Sequence, residues 1–477
     1  MDHPKIAIIT FGDGREHEWN NLFRGLTEPR HEAVVAYFQD LPVDVFALDI
    51  VARSNSQVDA QVDELKASGV SALIAHIPCW VSPNLVVRGV QRMSLPTVLL
   101  SNRHPGTHGS VGLLGAGGAL DQIGYPHIRI RGDFETPDLG EKLLPFLRAA
   151  SAVAQLRGQV FGMFGGRSLG IDTGTIDPMQ WRRMFAVDVE HIDQLEIVRR
   201  AELIDPESSA QMVTWLEKNA QSVDYDGVKL SREKLDFQVR CYLATRQIIQ
   251  EMGLDFVAVK CMPDMTNFYI PQCISAAFLP GSYDAFGAQK PVPMSCEADG
   301  DGALTMQILN LVSGGTPTLF GDLSYLDEEN STLYIPNCGA MCSWYAGRSD
   351  QPEGNLAHIE LRPSFRPSGG ATVYFKAAPG PVTLARLSRR AGEYVMTIFQ
   401  GEAIDPSPQA YETFIQARGS HQLPTMFVKV DLDFDELMNE FGSNHISGVA
   451  GFYVEELVHV CKLMHIKPIV LTKEHSS

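Results

Sequence analysis

The chain of 477 residues carries 57 acidic against 39 basic side chains, for a formal charge of −18, and is 44% hydrophobic and 20% charged. That length is more than one hydrophobic core can serve and predicts roughly two to four domains. The acidic excess leaves no positive field for a phosphate backbone, which excludes a nucleic-acid partner, and no apolar run approaches the roughly 20 residues of a membrane span.

Met1-Asp2-His3-Pro4-Lys5 runs straight into an extended apolar stretch, without the basic segment, apolar core and small-residue cleavage pattern of a signal peptide, so a cytoplasmic location is the expectation. The eight cysteines are Cys79, Cys241, Cys261, Cys273, Cys296, Cys338, Cys342 and Cys461. Most sit in apolar contexts, where a free thiol acts as a small buried hydrophobe, and neither a disulfide framework nor a structural zinc is expected.

From residue 5 to about 157 strand and helix signals alternate, with strands read over Ile6–Thr10, Val43–Ile50, Ala72–Pro78, Thr97–Ser101 and His127–Ile130. This is the pattern of a doubly wound parallel sheet. Arg15, in the Gly12-Asp13-Gly14-Arg15 loop after the first strand, and Trp80, after the third, should stand at its ligand-binding edge. Each also reads simply as an exposed loop arginine and a core-edge tryptophan. The glycines from Gly112 to Gly118 lack dinucleotide-loop spacing, because Leu120 stands where the third glycine belongs, and a nicotinamide cofactor is rejected. The donor-rich loop Asn102 to His108 reads as a polyhydroxyl or anion site, or as a solvated loop.

A second α/β unit is read over residues 158–313. Val160–Phe164 is a strand, Asp177 caps a helix with Pro178 at its first position, and Phe256–Lys260 is another strand. In Met294 to Leu323 a strand ends at Glu297, a helix covers Gly302 to Leu311, and a short strand over Thr316–Phe320 stops before Asp322. The spacing predicts two carboxylates emerging from one sheet edge into one cavity, as a metal site or an acid/base pair requires. The plainer reading has Glu297 capping the helix and Asp322 starting a turn. Residues 314–477 form a third, mainly antiparallel region with helices, since its apolar runs are short and separated by Pro and Gly clusters. Near its end His445 follows Asn444 and precedes a helix, where a loop or cap histidine is the bland alternative.

Taken together, Gly165-Gly166-Arg167-Ser168-Leu169-Gly170, Asp177-Pro178-Met179-Gln180-Trp181, Val187 to Asp193, Lys260-Cys261, Cys296-Glu297-Ala298-Asp299, Phe320-Gly321-Asp322-Leu323 and Ser443-Asn444-His445 resemble the L-fucose isomerase family along essentially the whole chain. The resemblance implies two doubly wound parallel-sheet domains followed by a mainly antiparallel C-terminal domain. It implies a divalent manganese, or another cation such as magnesium, held by Glu297, Asp322 and His445. It also implies that Arg15, the Cys79-Trp80 pair and Asn444 contact the sugar, with Trp80 reaching into a neighbouring subunit of a homo-oligomer, a hexamer in the family. The chain is shorter than the bacterial family members, chiefly between Asp322 and Asn444, where several of their sugar-contacting aromatics lie, so the sugar stays open.

Two carboxylates and an imidazole form a hard donor set suited to manganese or magnesium. On this reading the activity is aldose–ketose isomerisation of an open-chain sugar, of the L-fucose/D-arabinose type, with Glu297 and Asp322 also exchanging the proton between C2 and C1. One alternative is an isomerase of a modified aldose such as sulfoquinovose, with Arg15, Arg103, His104, His108 and Arg167 as an anion pocket. Another is a non-catalytic sugar-binding protein.

Overall fold

A computed structural model describes residues 3–103, 106, 108–136, 138–418 and 423–473. The chain divides into two compact units, Met1–Ala154 with Val458–Leu463, and Gln155–Leu457 with Met464–Ser477.

The first unit is an all-parallel sheet in the order Asp44–Ala47, Lys5–Thr10, Ala72–His76, Thr97–Ser101, His127–Arg131. The two central strands Ala72–His76 and Thr97–Ser101 are buried at every position, which is why they read as unbroken apolar runs. Alternate residues serve opposite faces. Ala7, Ile9, Leu73, Ala75 and Leu99 belong to one core, and Ile6, Ile8, Ile74, Val98 and Leu100 to another. The strand expected over Val43–Ile50 closes early, at Asp44–Ala47, and the one over Ala72–Pro78 ends at His76. The strand order turns back between Lys5–Thr10 and Ala72–His76, and loops that follow strands on either side of such a switch point form a crevice. Arg15 and Trp80 lie on those two loops. The glycine-rich run is the interior of the helix Gly109–Gln122.

Among its described residues the second unit holds two larger sheets, a three-stranded one and the two-stranded hairpin Tyr283–Asp284 with Gly287–Ala288. Its parallel sheet runs Met294–Cys296, Phe256–Val259, Val160–Phe164, Asp188–Ile192. Asp177 accepts from Met179 N and Gln180 N at the head of the helix Pro178–Phe185, the cap expected there. The larger sheet has eight strands and is antiparallel except for one parallel edge pair, Glu393–Ala403 with Lys467–Val470. The strand over Ala371–Tyr374 joins neither, pairing instead with Glu360–Pro363, which also pairs with Ser222–Val223.

The helix Gly300–Val312 lies between the parallel and antiparallel sheets, and all but one of its residues are buried. Its glycines permit that approach. A Cβ on Gly302 would stand 2.6 Å from the Phe320 ring and 2.8 Å from Arg386 Nη1. Ser447 Oγ donates to Gly302 O at 3.1 Å, and Leu387 N donates to Thr305 Oγ1 at 3.0 Å. The helix is thereby bonded to the antiparallel sheet while it packs against the strands Phe256–Val259 and Met294–Cys296 of the parallel one.

Candidate active site

Glu297 follows the last residue of Met294–Cys296 and, with Ala298, takes a left-handed conformation, at φ 58° and 55°. For side chains with a Cβ this costs about 1–2 kcal/mol per residue. The turn is held by Ala298 N donating to Val259 O at 3.0 Å and Asp299 N donating to Cys296 O at 3.2 Å. Asp299, not Glu297, caps the helix, with Oδ1 accepting from Gly302 N at 2.8 Å. Glu297 is thereby left free to project, its side chain 11% exposed.

Asp322 does not share that sheet edge. It is the last residue of Thr318–Asp322, in the antiparallel sheet, so the expectation of two acids on one edge is corrected. His445 is likewise neither loop nor cap, but the first residue of the strand His445–Ala450. The antiparallel register pairs Asp322 directly with His445, and directly opposed residues place their side chains on one face of a sheet. The helix Gly300–Val312 brings the two sheet edges together. His445 Nε2 stands 3.3 Å from Glu297 Oε2 and 3.6 Å from Asp322 Oδ1.

The other ring nitrogen is committed. His445 Nδ1 donates to Asp299 Oδ2 at 2.7 Å, and that carboxylate takes two bonds from Arg386, at 2.5 and 3.0 Å. Arg386 Nη2 also donates to Thr173 O at 2.8 Å. Asp299 and Arg386 are fully buried. Burial works to raise the Asp299 pKa, but Arg386 and His445 hold it well below the usual carboxylate range. Burial works to lower that of His445, and its bonds to Asp299 and Glu297 prevail, raising it to about 9. The Phe320 ring packs against the imidazole, with centroids 4.8 Å apart.

Sequence reasoning missed this support. Asp299 stands in the Cys296-Glu297-Ala298-Asp299 motif, and its place just ahead of a helical run could have marked it as the cap. Arg386 stands in an apolar strand, where only the oddity of a charge among Leu384, Ala385 and Leu387 signals it. A second buried chain links Trp181 Nε1 to Tyr394 Oη at 2.8 Å, and Tyr394 Oη to Asp301 Oδ1 at 2.7 Å.

Three carboxylates around one buried imidazole make a place for positive charge. Nδ1 is anchored and Nε2 turned toward Glu297 and Asp322, as a carboxylate-oriented metal ligand requires. The donor types suit a hard divalent cation. The side chains converge on the ring nitrogen and not on a ready-made cage, and among the described residues no group of three or more His, Cys, Asp or Glu is spaced to hold a metal ion.

Asn444 adjoins His445, and the other expected residues lie in the first unit or in loops of the second. Asn444 is exposed, and its carbonyl accepts from Leu323 N at 2.8 Å. In the first unit Arg15 is bound to the buried Asp13 at 2.6 Å and to Glu18 at 3.2 Å. Trp80 is half-buried beside Trp19, Phe23 and Cys79. Of the anion set, Arg103 pairs with Asp138 at 3.6 Å and Arg167 pairs with Asp172, while His104 lies outside the described residues. Among the described residues no helix is long and apolar enough to cross a membrane.

The family model for the first N-terminal domain of L-fucose isomerase matches residues 3–158, and that for the L-fucose isomerase C-terminal domain matches residues 335–471. Glu297 and Asp322 lie between the two matches. A sulfoquinovose isomerase of Alkalicoccus urumqiensis is 24% identical, covering 87% of this chain and 89% of that protein. L-fucose isomerases of Phocaeicola vulgatus and Streptococcus pneumoniae are 23% and 22% identical, covering 97% and 98% of this chain and 93% of each relative. A solved periplasmic solute-binding protein from Actinobacillus succinogenes with bound D-allose covers 55% of this chain and 80% of its own at 14% identity, and its TM-score of 0.15 carries no argument. With both domain models matched in order and relatives aligned over nearly its whole length, the chain belongs to the L-fucose isomerase family and is a sugar isomerase, an enzyme that interconverts aldoses and ketoses.

Proposed function

We propose that the chain is a metal-dependent aldose–ketose isomerase of the L-fucose/D-arabinose type, acting on the open-chain sugar at Glu297, Asp322 and His445. The observation that carries this is the single imidazole whose Nε2 faces both carboxylates while Asp299 fixes its far side. Manganese, or magnesium, bound by Glu297, Asp322 and His445 would supply Lewis acidity to the sugar's carbonyl and hydroxyl oxygens.

The chain's own residues do the rest. Glu297 and Asp322 move the proton between C2 and C1 through an ene-diol, one removing it and the other returning it, with the oxygens exchanging their proton in step. The contribution of each as a proton carrier is about 10²- to 10⁴-fold. His445 is kept in one orientation by the Asp299–Arg386 pair, so the carboxylates face a fixed ring. Asn444, Arg15 and Trp80 recognise the sugar, Trp80 from a neighbouring subunit of a homo-oligomer.

Two observations bear on the substrate. Arg15, Arg103 and Arg167 already have carboxylate partners, which favours a neutral sugar over one with an anionic group. On the other side, the sulfoquinovose isomerase likeness supports the 6-sulfo alternative.

The test is a screen with and without added manganese over L-fucose, D-arabinose and 6-sulfo sugars, reading ketose formation and bound metal. Ketose should form from a neutral aldose and require metal, and Glu297→Gln and Asp322→Asn should each lose at least roughly 10²-fold in kcat. Near-normal turnover in either variant, with full metal, sinks the assignment.

A further inference from the structure

Four thiols of the second unit gather beside the strand that leads into Glu297. Cys296 ends Met294–Cys296, Cys261 lies just past the adjoining Phe256–Val259, Cys273 opens the helix Cys273–Phe278, and Cys338 follows Thr332–Pro336. Cys296 Sγ is 3.7 Å from Cys338 Sγ. All four line one cavity of about 20 Å³, together with Arg366. That is a little more room than one water needs, and the site admits a molecule of that order of size. A single buried thiol would be only a small hydrophobe. Here Cys296 and Cys338 are half-buried, are in contact with each other, and open onto the same cavity.

We infer that Cys296 and Cys338 form an oxidation site that a hydroperoxide converts to a disulfide, and that this bond turns the isomerase off by displacing Glu297. One thiol sulfur attacks the peroxide oxygen and the O–O bond breaks. The distal oxygen stays on sulfur as a sulfenic acid, and the other fragment leaves as an alcohol, or as water when the oxidant is hydrogen peroxide. The second sulfur then attacks the sulfenic sulfur, and its hydroxyl leaves as water. Two thiols have lost two electrons, the peroxide has gained them, and the thiol protons end on the two oxygen products.

The mechanical link is short. A disulfide bond is about 2 Å long, so the sulfurs must close by roughly 1.7 Å. Glu297 is the next residue, in a two-residue left-handed turn tied to Val259 O, so whatever part of that closure the Cys296 backbone takes up passes directly to Glu297. Misplacement by about 1 Å in a reacting geometry costs roughly 10²-fold. The loss of activity rests on the proposed isomerase site, whereas formation of the bond does not.

The experiment treats the full-length, manganese-loaded protein with hydrogen peroxide, blocks the remaining thiols, and maps peptides without reduction while following ketose formation. The expected result is a Cys296–Cys338 cross-linked peptide that rises as activity falls by roughly 10²-fold, with dithiothreitol reversing both. Cys338→Ser should keep its untreated activity and resist peroxide, and Cys338→Ala serves the same end if the serine variant does not fold. Full alkylation of both thiols after peroxide overturns the site. So does inactivation of the Cys338 variants at the wild-type rate. A cross-link that leaves ketose formation unchanged overturns the switch. If no aldose is turned over at all, the isomerase reading fails, while the peptide map still decides the thiol site.

Discussion

In the first unit the buried Asp13 carboxylate is met by a guanidinium that reaches solvent, and the histidines buried near the strand ends sit in a neutral network. His76 Nδ1 meets Thr10 Oγ1 at 3.1 Å and its Nε2 meets Asn102 Oδ1 at 3.1 Å, while His31 reaches the same threonine at 2.8 Å. In the second unit the corresponding depth is occupied by ions, with Arg386, Asp299 and His445 in line. Buried ions cost several kcal/mol each to desolvate, and neutral hydrogen-bonded groups far less. The costly arrangement is found at the proposed site, where it fixes the His445 ring, and the cheaper one where the sheet needs only its polar atoms satisfied.

The largest effect is expected from removing the middle of the ionic line. Asp299→Ala leaves Arg386 buried and unpaired and should lower stability by about 3–5 kcal/mol, read as the denaturation midpoint, with amide exchange confined to the second unit. A loss near that of a surface substitution would erase the contrast between the units. Gly302→Ala comes next. Its Cβ would press on Phe320, Arg386 and Asp299, and should cost about 1–3 kcal/mol and disturb His445, seen as a shifted imidazole resonance.

The pH dependence sharpens the comparison, because the two units should respond in opposite senses. Burial holds His76 down at about 3, so its unfolded state takes up the proton first and the first unit loses stability as pH falls below the ordinary histidine value of 6.5 toward 3. Burial raises Asp301 to about 6, so its folded state takes up the proton first and this group adds stability as pH falls from about 6 toward 3.8. Each proton contributes a slope of at most about 1.4 kcal/mol per pH unit. Hydrogen exchange between pH 6.5 and 4 should show the first unit loosening earlier, and His76→Gln should flatten its slope. Arg15→Ala removes the half-exposed guanidinium that pairs with the buried Asp13 carboxylate. Leaving that carboxylate without it should cost about 1–3 kcal/mol, seen as a lower melting temperature of the first unit, while kcat/KM falls roughly tenfold if Arg15 binds sugar.

The first unit was legible because its sheet is built from neighbouring segments joined by helices, so each strand announces itself as an apolar run and the strand-end loops follow. Arg15 and Trp80 could be placed on those loops without coordinates. Glu297 was legible for the same reason, as the residue after an apolar strand. What misled was assuming that the next strand joins the same sheet. Thr318–Asp322 pairs antiparallel with His445–Ala450, more than 100 residues later, and nothing local in either segment states that register.

By itself, then, the sequence determined most element types, the doubly wound first unit and the family, and it nominated Glu297, Asp322 and His445 as the candidate site. Those follow from side-chain periodicity, strand-end position and motif. The tertiary structure alone decided that Asp322 and His445 face each other across one register, that the helix Gly300–Val312 brings Glu297 to them, and that Asp299 with Arg386 holds the imidazole. Each is a contact between segments far apart in the chain, set by packing and by the need to pair buried charge, and neither leaves a local pattern to read.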